Sequence, residues 1–125
     1  MAGSTTVAVG SRWEKLAFEH LSSSGLNLIS KNFRCRMGEI DLVMQDGDCL
    51  VFVEVRYRKA NRFAAAACSV DNHKQRKLAR AAAAFLGRHP QYCDHPVRFD
   101  VVAFDAAADD RCTLQWLQDA FRPEG

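Results

Sequence analysis

The sequence predicts a single α/β domain whose mixed central sheet is flanked by helices, in the order α-β-β-β-α-β-β. Two segments carry apolar residues at helical spacing, and five others have the alternating or β-branched composition of strands. The 125 residues are the length of one domain, and they contain neither a linker nor an internal repeat. We therefore predict one domain over residues 11–122, preceded by a flexible tail of small and polar residues, 1–10.

The first helix is predicted over residues 11–24, where apolar residues recur at helical spacing and Gly25 follows as a stop signal. The apolar positions of this helix are Trp13, Leu16, Ala17 and Leu21.

Three strands are predicted next, over residues 26–35, 39–44 and 49–57. Strict alternation in the second strand predicts that Ile40, Leu42 and Met44 lie on one face. The stretch "DGD" at 46–48 is a hairpin signal, so the second and third strands are expected to pair.

The second half of the chain adds one helix and two strands. Asp71 is a suitable N-cap for a helix over 72–87, whose apolar stripe consists of Leu78, Ala82 and Phe85. Strands are predicted over 96–104 and 112–118. In the first of them, Arg98 and Asp100 are interpreted as an ion pair that stabilises the fold, the alternative being a place behind a metal site.

Charge is distributed unevenly along the chain. The net charge is only +2, but residues 31–88 contain twelve Lys and Arg against six Asp and Glu. A polyanion partner is therefore plausible for this central block, and a solvated basic surface is the alternative.

The cysteines and the N-terminus indicate a protein of a reducing compartment. Five cysteines, odd in number and without a C-x-x-C pair, argue against both a disulfide framework and a zinc ribbon. The chain starts without a signal peptide and contains no apolar run of about 20 residues, so we expect a cytoplasmic protein without a membrane partner. The stretch "HPQYCDH" is interpreted as a turn; His89, Cys93 and His95 as metal ligands are the alternative.

The stretch "VFVEVRYR" places Glu54 between two valines of an apolar strand, where a charge needs a partner. A hairpin turning near residues 47 and 48 pairs Asp41 with about position 54, so the two carboxylates are expected roughly 5 Å apart. Two such carboxylates repel each other unless a cation lies between them, and Mg²⁺ is commonly bound through one or two carboxylates.

A structural alternative pairs each carboxylate with a cation, for example Glu54 with Arg56 or Arg58. The face that carries Glu54 changes from Leu50 and Phe52 to charged residues along the strand. That change favours a strand that leaves the core and enters a site.

The pair "GEIDLV" and "FVEVRYR" resembles the PD-(D/E)XK nuclease signature, an acid on one strand followed by acid-x-lysine on the next. The chain is similar, over about residues 11–122, to the YraN family of predicted endonucleases. The ordered set "WEKLAFEHL", "NFRCRMGEIDLV", "LVFVEVRYR", "SVDNHKQRKL" and "RFDVVAF" carries this resemblance. It implies a restriction-endonuclease-like fold, related to Holliday-junction resolvases, and metal-dependent hydrolysis of a phosphodiester bond in nucleic acid.

The resemblance also implies roles for individual residues. Asp41 and Glu54 would be catalytic ligands of Mg²⁺ or Mn²⁺, with the Val55 carbonyl as a third ligand. Glu14 matches a helical glutamate that approaches the metal in resolvase-like relatives, a solvated helix residue being its alternative. Glu39 neighbours the site and would be unremarkable as a surface residue.

Arg56 departs from the family pattern, in which lysine is usual. Arginine supplies charge and clamps phosphate but does not deprotonate, so water would be placed differently. Two hypotheses follow: a metal-dependent endonuclease acting on branched or damaged DNA, and a nucleic-acid-binding module of the same fold with impaired catalysis. A third, a protein-interaction domain, would be favoured if nucleic acid does not bind at low salt.

Further cations complete the predicted site. Lys74, near the start of the second helix, is predicted to face the active site as a catalytic cation, a plain surface lysine being the alternative. Nucleic acid, DNA in particular, is the expected partner, and a homodimer is expected by analogy with other nucleases of this fold. The predicted nucleic-acid contacts are Arg34, Arg36, Arg58, Lys59, Arg76 and Lys77.

Overall fold

The structure, a computed structural model, describes residues 5–58, 70–106 and 112–123, with the backbone alone for residues 5–11, 58 and 106. Its order α-β-β-β-α-β-β is the predicted one. The elements are α1 (Thr5–Ser23), β1 (Asn27–Cys35), β2 (Gly38–Asp46), β3 (Cys49–Arg58), α2 (Asn72–Arg88), β4 (Val97–Ala106) and β5 (Cys112–Phe121), and a 3₁₀ turn lies at Pro90–Tyr92.

The five strands form one mixed sheet in the order β1-β2-β3-β4-β5. Strands β3 and β4 pair in parallel and are connected through α2, whereas the other neighbours pair antiparallel. This arrangement confirms the predicted fold class of a mixed central sheet with helices. Among the described residues, neither helix combines the length and the apolar character of a membrane span.

The core consists of two clusters, one on each face of the sheet. Strand β3 supplies both, because its side chains alternate: Leu50 and Phe52 pack beneath α2, whereas Val51 and Val53 pack beneath α1. The predicted stripe of α2 is buried, and Asp71 caps this helix by accepting a hydrogen bond from a backbone N–H. Both helices are thus held by one central strand.

Helix α1 differs from its prediction at two points. It begins at Thr5 and not at residue 11, so the predicted tail of residues 1–10 is helical from Thr5 onward, and residues 1–4 lie outside the described part. This stretch contains no proline, and a single glycine such as Gly10 lowers helix stability by only about 1 kcal/mol. Leu16, predicted to be part of the buried face, is exposed.

The alternation of β2 is interrupted at Asp41. Leu42 and Met44 pack in the cluster beneath α1, but Ile40 packs in the cluster beneath α2. The prediction that Ile40, Leu42 and Met44 share one face is therefore wrong for Ile40. Asp41 is the residue at which the strand changes face.

Strand β1 changes face at the same level. The Lys31 ammonium lies 4.7 Å from the ring centroid of Phe18 in α1, whereas the ring of Phe33 packs edge-on against Phe85 of α2. Asn32, between them, has a φ of 53°. This left-handed conformation is tolerated by asparagine better than by most residues, and it accounts for the change of face.

Candidate metal and nucleic-acid site

The pairing of β2 with β3 ends next to the two predicted acids. The antiparallel register extends from Asp46 and Cys49 to Leu42 and Val53, so its next pair would be Asp41 and Glu54. The Oδ2 atom of Asp41 instead accepts a hydrogen bond of 2.8 Å from the backbone N–H of Val55. The Asp41 side chain thus replaces a backbone acceptor where the strands separate, and its carboxylate lies between them.

Glu54 is 5% exposed and lies on the face of β3 that is covered by α2. Its Oε2 atom is 3.5 Å from Nζ of Lys74 and 3.5 Å from a terminal nitrogen of Arg56. Lys74 therefore faces the acids, as the first of its two interpretations predicted. The ion pair with Arg56 that the structural alternative proposed is also present.

The two acids perturb each other. Burial raises the pKa of Glu54 to about 7, and the negative charge of Asp41 contributes to this rise. Burial also raises the pKa of Asp41, against the lowering effect of the Val55 N–H. The protonated Glu54 carboxyl donates a hydrogen bond to Asp41, so near neutral pH the pair shares a proton that a cation could replace.

Two more carboxylates adjoin this pair. One ligand oxygen each of Glu14, Glu39 and Asp41 lie within 4.8 Å of one another. Burial raises the pKa of Glu14, as does the charge of Asp41, while Asn32 donates a hydrogen bond to Glu14. Glu39 neighbours the site, as the sequence analysis expected, although it was not predicted to be a metal ligand.

The donor set fits a hard divalent cation. Its side-chain donors are carboxylate oxygens, which Mg²⁺ and Mn²⁺ prefer, and the group that the described residues form contains neither a thiol nor an imidazole. Val55 contributes the N–H that holds Asp41. Its carbonyl as a third ligand stays a prediction.

The alternative metal loop around residues 89–95 is not formed. His89 Nδ1 lies 2.9 Å from the carbonyl oxygen of Phe85, and His95 Nδ1 lies 2.8 Å from that of Asp48. Within the described ranges, these histidines and Cys93 do not form a group with metal-ligand spacing.

A basic cleft of about 390 Å³ opens between the β1–β2 turn and α2. Lys74 belongs both to this cleft and to the surroundings of Glu54. Gly38 allows the close approach, because a Cβ atom there would lie 3.3 Å from the carbonyl oxygen of Lys77. The cations that line the cleft are Arg34, Arg36, Lys74 and Lys77, and the acid that lines it is Glu39.

The other predicted nucleic-acid contacts lie elsewhere. Arg76 lines a separate pocket together with Arg122, on a different side of α2 from Lys77. The structure does not bring Arg76 to the basic cleft. The side chain of Arg58 and the whole of Lys59 lie outside the described residues.

Arg98 and Asp100 form the predicted ion pair, 3.0 Å from Nε to Oδ1. Asp100 is fully buried, and it also accepts hydrogen bonds from the indole of Trp116 and the backbone N–H of Asp119, both 2.9 Å long. Arg98 contacts Asp46 at 3.0 Å as well. This network joins β2, β4 and β5, which supports the structural interpretation.

Comparison with known proteins agrees with the extent of this fold. The model of the uncharacterised protein family UPF0102 matches residues 13–104. A UPF0102 protein of Stutzerimonas stutzeri is 52% identical over 108 residues, covering 86% of this chain and 89% of its own length. Similar proteins from Alcanivorax borkumensis, 46% identical over 89% of each chain, and Pseudomonas putida strain GB-1, 45% identical over 97% and 98%, carry the same family name.

Proposed function

The chain belongs to the uncharacterised protein family UPF0102, as the YraN-like resemblance implied, and we propose that it is a metal-dependent endonuclease. The proposed reaction is hydrolysis of a phosphodiester bond in nucleic acid, DNA in particular, on a fold of the PD-(D/E)XK type. Mg²⁺ or Mn²⁺ is the proposed cofactor.

The observation that carries the proposal is the carboxyl pair of Glu54, which is buried, and Asp41, which is half-buried. Burying two acids in contact is destabilising unless a cation or a proton compensates. The pair lies where β2 and β3 separate, next to Glu14 and Glu39. A structural role alone would not require four carboxyl groups at one end of a sheet.

The residues of the site have distinct proposed roles. Asp41 and Glu54 hold the ion, and Glu14 orients it from α1. When bound, the ion supplies Lewis-acid activation of the attacking water and offsets phosphate charge. Lys74 and Arg56, each 3.5 Å from Glu54, provide positive charge for the pentacovalent transition state.

The basic cleft supports a polyanionic substrate. Its four cations outnumber its one acid, and Lys74 connects it to the carboxyl pair. Phosphates of the strand next to the scissile one would lie in this cleft, where Arg34, Arg36 and Lys77 contribute attraction that weakens with salt. Hydrolysis forms one P–O bond to water and breaks another, and the water proton ends on the leaving oxygen.

The test is cleavage of labelled single-stranded, duplex and branched DNA by the purified protein with Mg²⁺ or Mn²⁺. Asp41→Asn and Glu54→Gln should each abolish cleavage. Asp48→Asn, which changes an exposed acid of the β2–β3 turn, is the matched control and should keep it. Cleavage that persists in both site variants would show a contaminating nuclease and refute the proposal.

A second candidate is a nucleic-acid-binding module of the same fold that no longer cleaves. Arg56, which contacts Glu54, favours this second candidate, because it occupies the position at which the motif usually has lysine. It predicts binding that weakens steeply with salt and no cleavage with any divalent ion. Cleavage that depends on both Asp41 and Glu54 excludes this candidate.

A further inference from the structure

The face of β3 opposite to Glu54 carries a pair of stacked rings, Trp13 of α1 and Tyr57 of β3, which we name the aromatic step. The ring centroids are 4.4 Å apart and the rings are inclined by 16°. Tyr57 follows Glu54 by three residues, so the two side chains leave opposite faces of the same strand. The step therefore borders the site from the side away from the basic cleft.

The aromatic step is held firmly from behind. Trp13 packs on Phe104 with ring centroids 4.9 Å apart, and the Arg12 guanidinium lies 5.2 Å from the Trp13 ring centroid. Tyr57 is nevertheless 40% exposed. A rigid aromatic ring with one covered face and a solvent-accessible remainder is the kind of surface on which bases stack.

The step lies within reach of the acids along two elements. Tyr57 lies three residue steps along the strand from Glu54, a rise of about 10 Å. On α1, Trp13 is directly followed by Glu14, one of whose carboxyl oxygens lies within 4.8 Å of one of Asp41. A nucleotide that stacks on the aromatic step would thus lie close in the strand to a phosphate bound at Asp41 and Glu54.

Resting on the proposed function, we infer that the aromatic step stacks an unpaired base next to the scissile phosphate. Bases inside a continuous duplex have both faces covered by their neighbours, whereas an unpaired base can leave the stack and offer a face to a protein ring. The substrate class is therefore nucleic acid with unpaired nucleotides at the cleavage position. Arg12, whose guanidinium lies at the Trp13 ring, adds positive charge beside the step that suits an adjoining phosphate.

The test measures binding in EDTA, by fluorescence anisotropy, of a labelled oligothymidine and of a labelled blunt-ended duplex with equal charge. Tyr57→Leu should weaken oligothymidine binding about tenfold and leave duplex binding within about twofold. Tyr57→Phe keeps the ring and should bind as the natural protein does. Tyr92→Leu, at a half-buried tyrosine of the 3₁₀ turn, is the matched control and should change neither affinity.

Equal weakening of both ligands by Tyr57→Leu, no weakening at all, or no binding of oligothymidine by the natural protein overturns the inference. Thermal unfolding of each variant separates lost folding from lost stacking, and retained binding by Tyr57→Phe excludes a general defect at this position. Because the assay contains no divalent ion, it does not depend on hydrolysis. A selective loss of oligothymidine binding without cleavage by the natural protein supports the step and refutes the proposed reaction.

Discussion

Asn32 of β1 lies directly opposite Asp41 of β2, next to the paired residues Lys31 and Leu42. Its φ of 53° is in the left-handed region, and it is the point where both strands change face. The Asn32 side chain donates a hydrogen bond to Glu14. The left-handed conformation of Asn32 therefore lies next to two features of the site: the Asp41 side chain that projects between the strands, and Glu14, which Asn32 helps to orient.

Replacing Asn32 should separate its backbone role from its side-chain role. Asn32→Ala should lower the free energy of unfolding by about 1–2 kcal/mol, because alanine is strained at this φ and the bond to Glu14 is lost. Asn32→Gly relieves the strain and should be less destabilising. Both variants should bind Mn²⁺ severalfold more weakly. Urea denaturation measures the change in stability, and calorimetric titration measures the Mn²⁺ affinity.

Gly47→Ala provides the matched control for strain. Gly47 has a φ of 60° in the β2–β3 turn, at the other end of the hairpin from Asp41. This variant should lose stability in a similar way but keep its Mn²⁺ affinity. Full Mn²⁺ affinity in Asn32→Gly would show that the Asn32 side chain does not orient Glu14.

Most of the fold could be predicted, because the helical and strand periodicities, the "DGD" turn and the Asp71 cap are local signals. The change of face at Asp41 could not. It depends on the backbone of Asn32 in another strand, and the apparent alternation of Ile40, Leu42 and Met44 concealed it. The start of α1 was missed because a small, polar segment resembles a tail and contains no strong start signal.

The central part of the site was also predictable, since a hairpin of known turn fixes which residues face each other. That reasoning places Asp41 beside Glu54. The basic cleft and the aromatic step required tertiary structure, because each joins elements that are distant in sequence, such as Trp13 and Tyr57. Arg76 was grouped with Lys77 by sequence proximity alone, although adjacent helical residues point in different directions.

The stability of the metal-free protein should fall as the pH rises from about 4.5 to about 7. The pKa of Glu54 rises from 4.5 to about 7 in the folded state, so the folded protein holds a proton that the unfolded chain releases across this window. The expected loss is on the order of 3 kcal/mol. Urea denaturation in EDTA measures it, and Glu54→Gln should give a flatter profile. An equally steep profile for Glu54→Gln would assign the effect to other groups.

Divalent ions should reverse this loss. Mn²⁺ binds deprotonated carboxylates of the folded state, so it should stabilise the protein at pH 8 by about 2.7 kcal/mol at a hundred times its Kd. At pH 5, where protons compete, the stabilisation should be much smaller. Thermal unfolding with and without Mn²⁺ measures both, with Asp41→Asn as the unresponsive variant. A shift of equal size at pH 5 and pH 8 would contradict binding at this pair.

The network around Asp100 should matter for stability and not for the metal. Asp100→Ala removes a fully buried acceptor from Arg98, the Trp116 indole and the Asp119 N–H, so we expect a loss of about 3 kcal/mol. Urea denaturation measures this loss. The Mn²⁺ affinity of the folded fraction should be unchanged, and a weakened affinity would instead place Asp100 behind the metal.

Replacing Arg56 should distinguish cleavage from binding alone. Its guanidinium, 3.5 Å from Glu54, carries charge but does not give up a proton, whereas the compact ammonium of lysine can approach a phosphate oxygen closely. Arg56→Lys should therefore raise the single-turnover cleavage rate with Mn²⁺ by about tenfold or more, and Arg56→Gln should lower it by a similar factor. Oligonucleotide binding should be kept in Arg56→Lys and weakened in Arg56→Gln. Slower cleavage by Arg56→Lys would contradict this expectation and show that the guanidinium itself is the functional cation. Both variants lose the two-donor clamp on the phosphate, but only Arg56→Gln also loses the positive charge.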